Sequence, residues 1–254
     1  MQIKFDINTK QVQAALALAP KQVAYALSVA INASTEKARL AVRDEMPRVF
    51  DKPTPWVLNS LRLKHATKTN LVGEIAFKDK NSVESARTMI EPHVTGGQRH
   101  FKAFEARLLR IGLLPEGWNA VPGAGAKLDG FGNMSQGQIS QLLNVLGAYT
   151  ESGFNKANLK TVARLAMGNA KRNTYGFVYW VNKVGSTHAK HLPPGVYQRV
   201  TTGFGTSLKP ILVFVKRASY KRRLDFYGIA SKVVTEAFPS EFEKAFKAAM
   251  QTAR

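Results

Sequence analysis

The chain has 254 residues, with 37 Lys or Arg against 17 Asp or Glu, and its formal charge of +20 predicts a protein that meets a polyanion. It contains no cysteine, which excludes disulfides and thiolate chemistry, and 44% of its residues are hydrophobic, enough for a sizeable core. The sequence contains no run of about 18 apolar residues, so no membrane span is predicted. The first ten residues lack the apolar segment of a secretory signal.

The N-terminal third predicts a strand, two helices and a hairpin. Ile3 and Phe5 alternate with polar residues, as in a half-buried strand. A short helix is predicted before Pro20, and a long, Ala-rich amphipathic helix is predicted from Pro20 to about Met46, because proline is well tolerated in a first helical turn. Two further apolar stretches, at 61–63 and 71–77, are predicted to pair as a hairpin.

The middle third combines helices with two irregular stretches. Ser82 is a candidate cap for a helix that Glu91 and Pro92 would end, and apolar residues at helical spacing predict further helices at 100–111 and after Ser135. A Gly-rich stretch is predicted to be a long loop or docking arm (115–134), and a polar, basic stretch an extended arm (148–173). Both have little apolar content, so we expect them to become ordered against neighbouring molecules.

Two strands joined by a Gly-rich turn organise the final third. Residues 196–200 alternate as in a half-exposed strand, and 211–215 form an apolar run typical of a buried one. Another strand is predicted at 177–181. An amphipathic helix from about Ile229 would close the chain, with a break near Pro239.

The positive charge is concentrated between residues 152 and 224. This segment contains 14 Lys or Arg and no Asp or Glu. Five of these cations surround Tyr220 directly after the predicted buried strand. Together with Tyr220 they form what we call the basic junction: Lys216, Arg217, Tyr220, Lys221, Arg222 and Arg223.

The basic junction predicts contact with DNA in a channel. The preceding buried strand would anchor its backbone, and no neighbouring acid would neutralise its charges locally. It offers no Asn or Gln pairing that would read a base edge, so its role would be to hold phosphates, with Tyr220 available to stack. An acidic partner protein would satisfy the same cations, and an ordinary solvated face is the simplest alternative.

A Pro-Pro pair before the first of these strands predicts an interface. It fixes an extended entry and removes two amide donors, which suits an edge strand where a partner docks. A rigid internal turn is the alternative. The interface candidates, which we call the Pro-Pro segment, are Leu192, Pro193, Pro194, Val196 and Tyr197.

No motif predicts a catalytic residue, a cofactor or a metal. The stretch 123–127 is Gly-rich but lacks the GK[ST] ending of a phosphate-binding loop. His188 and His191 have no cysteine or acidic ligand nearby, so surface histidines are favoured over a metal site. Carboxylates such as Glu74 and Asp129 are not spaced as in a metal-dependent nuclease.

Several segments together resemble a family of phage proteins. These are the helical ALSVAINASTEKAR, the hairpin SLRLKHAT and LVGEIAFK, the strands YQRV and PILVF, and the terminal amphipathic helix. Their order is similar to that of phage minor tail proteins of the Z type and of the wider tail completion, or neck, proteins. The resemblance covers residues 20–80 and 195–254, and the block between them departs from the pattern as an insertion.

The predicted elements and the resemblance favour an α+β fold. A long N-terminal helix and a C-terminal helix would pack on a small, mostly antiparallel sheet. The core would consist of residues 1–81 and 174–254, and residues 82–173 would form a largely helical, loop-rich insertion.

The resemblance also implies a function without catalysis. The protein would be part of a virion, assembled in the cytoplasm of a bacterial host. It would form a homo-oligomeric ring at the head-to-tail junction, joining portal or head-completion proteins to tail tube or tail terminator proteins around the genomic DNA, with no membrane partner. The alternative is a DNA-binding or packaging accessory protein, and a nuclease is less favoured.

Overall fold

A computed structural model describes residues 2–5, 20–78, 85–149, 159–169, 175–202, 204–217 and 219–251. These residues contain seven helices and nine strands, and the predicted α+β class is confirmed. The chain divides into two compact units. The terminal unit comprises Met1–Arg99 and Tyr220–Arg254, and the inserted unit comprises His100–Ser219.

The terminal unit has a three-stranded antiparallel sheet. Its strands are β1 (Gln2–Phe5), β2 (Leu61–Lys64) and β3 (Gly73–Phe77), in the order β1-β3-β2. Leu61 lies opposite Phe77, so the predicted hairpin is confirmed. Every residue of the central strand β3 is buried.

Two long helices from the two ends of the chain pack together in the terminal unit. They are α1 (Pro20–Val49) and α7 (Phe226–Gln251). Met46 of α1, Ile75 of β3 and Phe226 of α7 belong to one buried apolar cluster, and the rings of Phe77 and Phe226 lie 5.1 Å apart. The prediction that the N- and C-terminal helices pack together is therefore confirmed.

Three helix boundaries differ from those predicted. The helix α3 (Ala86–Thr95) is capped by Ser85, whose hydroxyl accepts the Thr88 amide, whereas Ser82 lies outside the described residues. The helix continues past Glu91 and Pro92 to Thr95, so its predicted end is wrong, and Gly96 caps it with a φ of +81°. The terminal helix α7 starts at Phe226 and continues through Pro239, so the predicted break there is wrong.

Proline is tolerated inside α7 because it removes one hydrogen bond from a helix that packing holds elsewhere. The rings of Phe238, Phe242 and Phe246 form a stacked row around this position. This row packs with Val23 and Leu27 of α1 and with Leu71. A short helix, α2 (Pro55–Leu58), lies between α1 and β2 and is capped by Thr54.

The inserted unit has a four-stranded antiparallel sheet in the order β5-β8-β7-β6. The strands are β5 (Trp118–Pro122), β6 (Phe177–Asn182), β7 (Gly195–Thr202) and β8 (Gly205–Lys216). The helices are α4 (Ala103–Arg110), α5 (Gln136–Val145) and α6 (Leu159–Met167). Two strands of two residues each, β4 (Gly97–Gln98) and β9 (Ser219–Tyr220), stand where the chain passes between units.

Parts of the two predicted irregular segments are regular. Residues 115–134, predicted as a loop or docking arm, contain β5, which pairs with β8. A buried carboxylate fixes this strand, because Glu105 accepts the amides of Ala120 and Lys102 at 2.8 and 2.7 Å. The predicted arm at 148–173 contains α6, and its residues 150–158 and 170–173 lie outside the described residues.

The observed units also differ from the predicted domain division. The strands of the final third belong with residues 100–149, because β5 supplies a fourth strand to their sheet. The inserted unit therefore contains the four-stranded sheet, whereas the described residues of the predicted insertion, 82–173, contain four helices and two short strands. A strand of five residues that ends at Pro122 carries too short an alternation to be distinguished from a loop.

We predict that Gly73→Ala destabilises the protein by about 1–3 kcal/mol, since overpacking at a helix-to-sheet contact costs this much. An added Cβ would lie 2.7 Å from Ile31 Cγ2 and 2.9 Å from Thr35 Cγ2. The matched control is Gly137→Ala in α5, where no atom lies within 4 Å, and which should stabilise by about 0.4–1 kcal/mol. Urea unfolding measures both, and equal effects would contradict the described packing.

Candidate nucleic-acid interface

The basic junction is divided between the two units. The boundary falls between Ser219 and Tyr220. Lys216 and Arg217 therefore belong to the inserted unit, and Tyr220, Lys221, Arg222 and Arg223 to the terminal unit. Each group is held by contacts within its own unit.

In the inserted unit, Lys216 and Arg217 differ in their surroundings. Lys216 ends β8 opposite Trp118, and its side chain is exposed. Arg217 donates its backbone amide to the Gly117 carbonyl at 2.7 Å, and its guanidinium lies 3.9 Å from the centre of the Phe101 ring. This is the geometry of a cation–π contact. Arg217 is therefore engaged in packing, and Lys216 is the cation that this unit presents to solvent here.

Two guanidinium nitrogens of Arg217 are buried. Nε and Nη2 have no hydrogen-bond partner among the described residues. Burial of unpaired donors is unfavourable, and the face of the Phe101 ring compensates part of this cost. The guanidinium of Arg217 is thus poorly placed to form two hydrogen bonds with a phosphate.

In the terminal unit, one cation of the basic junction is neutralised. Arg222 forms an ion pair with Asp225, the residue just beyond the acid-free segment. Asp225 also accepts the amide of Gly228 in the first turn of α7. The prediction that no neighbouring acid neutralises these cations is wrong for Arg222, because an acidic residue caps the helix that follows.

The other junction residues of the terminal unit are anchored through His93. The backbone amides of Arg223 and Leu224 both donate to the His93 carbonyl, at 2.7 and 2.9 Å. The side chains of Lys221 and Arg223 are exposed, whereas Leu224 is fully buried in the core. The buried leucine and the two amide bonds thus fix the backbone beneath the exposed cations, whereas the sequence had predicted that the preceding strand would anchor it.

The ring of Tyr220 is packed on His93. The two ring centres lie 5.0 Å apart at an interplanar angle of 73°, and His93 contacts Phe50 in the same edge-on manner. Burial, and next the positive charge of Arg223, lower the pKa of His93 below its ordinary value. Its Nδ1 is buried without a partner among the described residues, so nothing there stabilises the charged form. Tyr220 is therefore already engaged in a ring contact within its own unit.

The wider acid-free segment presents a dispersed positive surface. Three of its 14 cations lie outside the described residues: Lys156, Lys171 and Arg172. Of the other 11, all are exposed except Arg217. Exposed, dispersed cations are suited to phosphate contacts that are independent of base sequence.

The Pro-Pro segment does not enter an edge strand. It leads into β7, which lies between β8 and β6 in the sheet. Val196 and Tyr197 are buried in the inserted unit, and the Tyr197 hydroxyl donates to the Pro193 carbonyl at 2.7 Å. The edge prediction is wrong because the strand at 177–182 covers the outer side of β7. A partner contact at Leu192, Pro193 and Pro194 stays a prediction, and Pro193 is exposed.

Neither a metal centre nor a membrane segment is found within the described ranges. No three His, Asp or Glu side chains there are grouped as metal ligands, and no described helix is long and apolar enough to cross a bilayer. Comparison with protein-family models, with curated proteins and with solved structures finds no match. The interpretation of the site therefore depends on its chemistry.

Sequence reasoning missed the roles of His93, Phe101 and Asp225. Each contacts the basic junction from another element or from beyond its end. Asp225 followed by a helical pattern is a capping signal, so it could have been identified. His93 and Phe101 are more than 100 residues away in the chain from the cations they contact, and no local pattern predicts such pairs.

We predict that Arg217→Gln destabilises the protein by about 1 kcal/mol, because it removes the cation–π contact with Phe101. Lys216→Gln is the control, since the same loss of charge at an exposed neighbour should change stability by less than about 0.5 kcal/mol. Urea unfolding measures both variants. Equal stabilities would show that the guanidinium does not pack on the ring.

We also predict that Arg223→Gln raises the pKa of His93, because one of the two causes that lower it is the Arg223 charge. A lowered pKa in the folded state means that stability is complete above the unfolded value of about 6.5 and decreases as the pH falls below it. His93→Phe keeps an aromatic ring that cannot be protonated, so the stability of this variant should decrease less as the pH falls. NMR titration of the histidine rings and urea unfolding at several pH values measure the two effects. An unchanged pKa in Arg223→Gln would contradict the arrangement.

Proposed function

We propose that the protein is a structural component at the head-to-tail junction of a tailed-phage virion. It forms a homo-oligomeric ring around the DNA channel and joins portal-side proteins to the tail. It has no catalytic role of its own, and its positive surface contacts the phosphate backbone of DNA. The resemblance to tail completion proteins motivates this proposal, and the distribution of exposed cations is the structural observation that carries it.

The cations support the proposal through their number, exposure and anchoring. Ten described cations of the acid-free segment are exposed, and among these ten only Arg222 forms an ion pair, with Asp225. A ring multiplies each such residue by the number of subunits, so weak individual contacts add up to strong, salt-dependent attraction for DNA. The contacts need no base readout, which suits a genome that moves through a channel.

The terminal unit supports the proposal through its architecture. Three of the segments that resemble tail completion proteins lie in this one unit, namely α1, the β2–β3 hairpin and α7. The other two, at 197–200 and 210–214, lie in β7 and β8 of the inserted unit. A unit closed by two long helices offers a surface on which subunit contacts could be repeated around a ring.

An accessory protein that binds DNA as a free monomer is the second candidate, and the same exposed cations favour it. The two functions differ in their dependence on assembly. A free DNA-binding protein should bind DNA as a monomer, with an affinity that falls steeply with salt. The neck protein should bind measurably only as an assembled ring. Sedimentation and DNA binding at several salt concentrations distinguish them.

We predict that changing Lys216, Lys221 and Arg223 to Gln gives tailed particles that leak their genome, because these exposed junction cations would hold the DNA. The matched control changes three exposed lysines elsewhere, Lys21, Lys64 and Lys232, and removes the same total charge. A phage that lacks the gene is complemented with each variant, and its particles are imaged and assayed for genome retention.

Three outcomes of this complementation are informative. Tailless heads filled with DNA would show that the junction cations bind an acidic protein and not DNA. Normal particles with normal retention would contradict both roles of the junction. A phage without the gene that still assembles and retains DNA normally would overturn the proposed function itself.

A further inference from the structure

A two-stranded arm extends beyond the sheet of the inserted unit. The strands β7 and β8 stay paired as far as Thr202, the last residue of β7. Their neighbours end sooner, because β6 pairs with β7 only up to Val200 and β5 pairs with β8 only from Leu212 onwards. Past these points the described residues contain no further strand beside them. We call residues 199–202 and 204–209 the hairpin arm.

Phe204 is the observation that points to a partner. Its relative exposure is 104%, and the next most exposed large apolar residue described, Met167, reaches only 84%. Aromatic rings are normally at least partly buried in a folded chain. The Thr202 hydroxyl accepts the Phe204 amide at 3.3 Å and donates to the Gly205 carbonyl at 3.1 Å. Local hydrogen bonds thus hold the backbone that presents this ring to solvent.

Charge complementarity identifies the kind of partner. The hairpin arm carries two exposed cations, Arg199 and Lys209, and no acidic residue. It extends from a unit with 15 Lys or Arg against four Asp or Glu. A second copy of the chain has the same excess and would be repelled, whereas a polyanion would be attracted. The partner must therefore offer both negative charge and an apolar contact for the ring.

The strand register places the two cations on opposite faces of the arm. Arg199 lies opposite Leu208, and Lys209 lies opposite Gln198, the residue before Arg199. Cross-strand partners share a face, and successive residues of a strand point to opposite faces. A groove of double-stranded DNA has a phosphate backbone along each side. A ribbon with one cation on each face can therefore contact both backbones at once.

The arm also matches the dimensions of a groove. The major groove is about 12 Å wide and about 8.5 Å deep, and it admits a two-stranded β-ribbon. At about 3.3 Å per residue, Arg199 and Lys209 lie about 13–17 Å behind Phe204. With the ring at the floor, the long cationic side chains are at the rim, where the phosphates lie. The exposed hydroxyls of Thr201 and Thr206 lie between them and can donate to phosphates or base edges.

An anionic membrane is the less favoured partner. A lipid surface would also combine negative charge with an apolar interior. However, even a myristoyl chain binds a membrane only marginally, and a single phenyl ring buries less apolar surface than that chain. DNA needs no such depth of insertion, because the phosphate contacts supply most of the affinity.

We propose that the hairpin arm enters the major groove of double-stranded DNA, with Phe204 on the base edges and with Arg199 and Lys209 on the two phosphate backbones. The apolar group that a Phe ring meets in this groove is the C5-methyl of thymine. A single methyl contact does not specify a sequence, so DNA can still move past the arm. The inference rests on the proposed function only in taking DNA as the polyanion, and it does not require the ring.

Photochemical cross-linking from position 204 tests the contact directly. The full chain carrying Phe204→p-benzoylphenylalanine is irradiated with a short thymine-containing duplex at low salt. Because cross-linking records weak contacts, it applies to the monomer and to a ring. We expect at least fivefold more DNA adduct than from the same replacement at Phe131, an exposed ring elsewhere in this unit. Equal yields would show random encounter and would overturn the proposal.

The other partners would give different adducts. Adducts between two copies of the chain, in excess of those with DNA, would make the arm a subunit contact. Stronger labelling of phosphatidylglycerol vesicles than of the duplex would make it a membrane contact. Either result would overturn the assignment to DNA.

Replacing thymine by uracil removes the methyl group and isolates the groove contact. By fluorescence anisotropy at low salt, affinity for the uracil duplex should be about fourfold lower, as expected for one buried methyl group. Phe204→Ser should bind both duplexes equally and as weakly as the wild-type chain binds uracil DNA. Because the ring is exposed, the unfolding temperature of this variant should not change. Equal wild-type affinities for the two duplexes would overturn the assignment to the major groove.

Substitution of the cations tests the phosphate contacts. Arg199→Gln and Lys209→Gln should each reduce the slope of log affinity against log salt by about one. The control, Lys190→Gln, removes the same charge from an exposed lysine in the loop before β7, beyond the opposite end of that strand, and should leave the slope unchanged. Equal changes in all three variants would show diffuse attraction and contradict the arrangement.

The inference and the proposed function can fail separately. A folded wild-type chain that gives neither DNA adducts from position 204 nor measurable DNA binding, in any oligomeric state, would overturn the role of the arm. Particle assembly without the gene tests the ring and does not involve the arm. DNA adducts from position 204 in a protein that particles do not need would support the arm and overturn the ring.

Discussion

The packing of α1 against α7 is the interaction on which the rest of the structure depends. It brings together helices from the two ends of the chain, and residues of both helices share one buried apolar cluster with Ile75 and Phe77 of β3. Both ends of the chain belong to the terminal unit. The chain must therefore leave this unit before residue 100 and return to it after residue 219. The second crossing lies between Ser219 and Tyr220, within the basic junction, so its division between two units follows from the topology.

The long strand β8 organises the inserted unit in a comparable way. Its residues 212–216 pair with β5 on one side, and most of its length pairs with β7 on the other. The buried residues of β8 lie within 211–214, and its first five residues are exposed. Burial at one end of the strand anchors Lys216 as the last residue before the chain leaves the sheet. A positive group on an anchored backbone loses less entropy on binding than one on a mobile tail.

Patterns within one element predicted many of the elements. The Ala-rich periodicity that begins at Pro20, the hairpin at 61–77 and the apolar run at 211–215 all correspond to observed structure. Contacts between distant elements were not predictable. The covering of β7 by β6, the pairing of β5 with β8 and the position of Phe101 over Arg217 depend on tertiary pairing, for which the sequence contains no local signal. The sequence therefore predicted which cations form the candidate site, but not which of them are packed, paired or exposed.

The net positive charges of the two units favour a negatively charged partner. The inserted unit has 15 Lys or Arg against four Asp or Glu, and the terminal unit has 22 against 13, which gives net charges of +11 and +9. Acidic residues can compensate at most four of the 15 cations of the inserted unit and 13 of the 22 cations of the terminal unit, and Asp225 neutralises only one cation of the basic junction. Mutual repulsion among so many like charges opposes compact packing and also close approach of identical subunits. A ring of such subunits becomes electrostatically favourable only if a polyanion lies within reach of many copies at once, and DNA in a central channel meets this condition whatever its sequence.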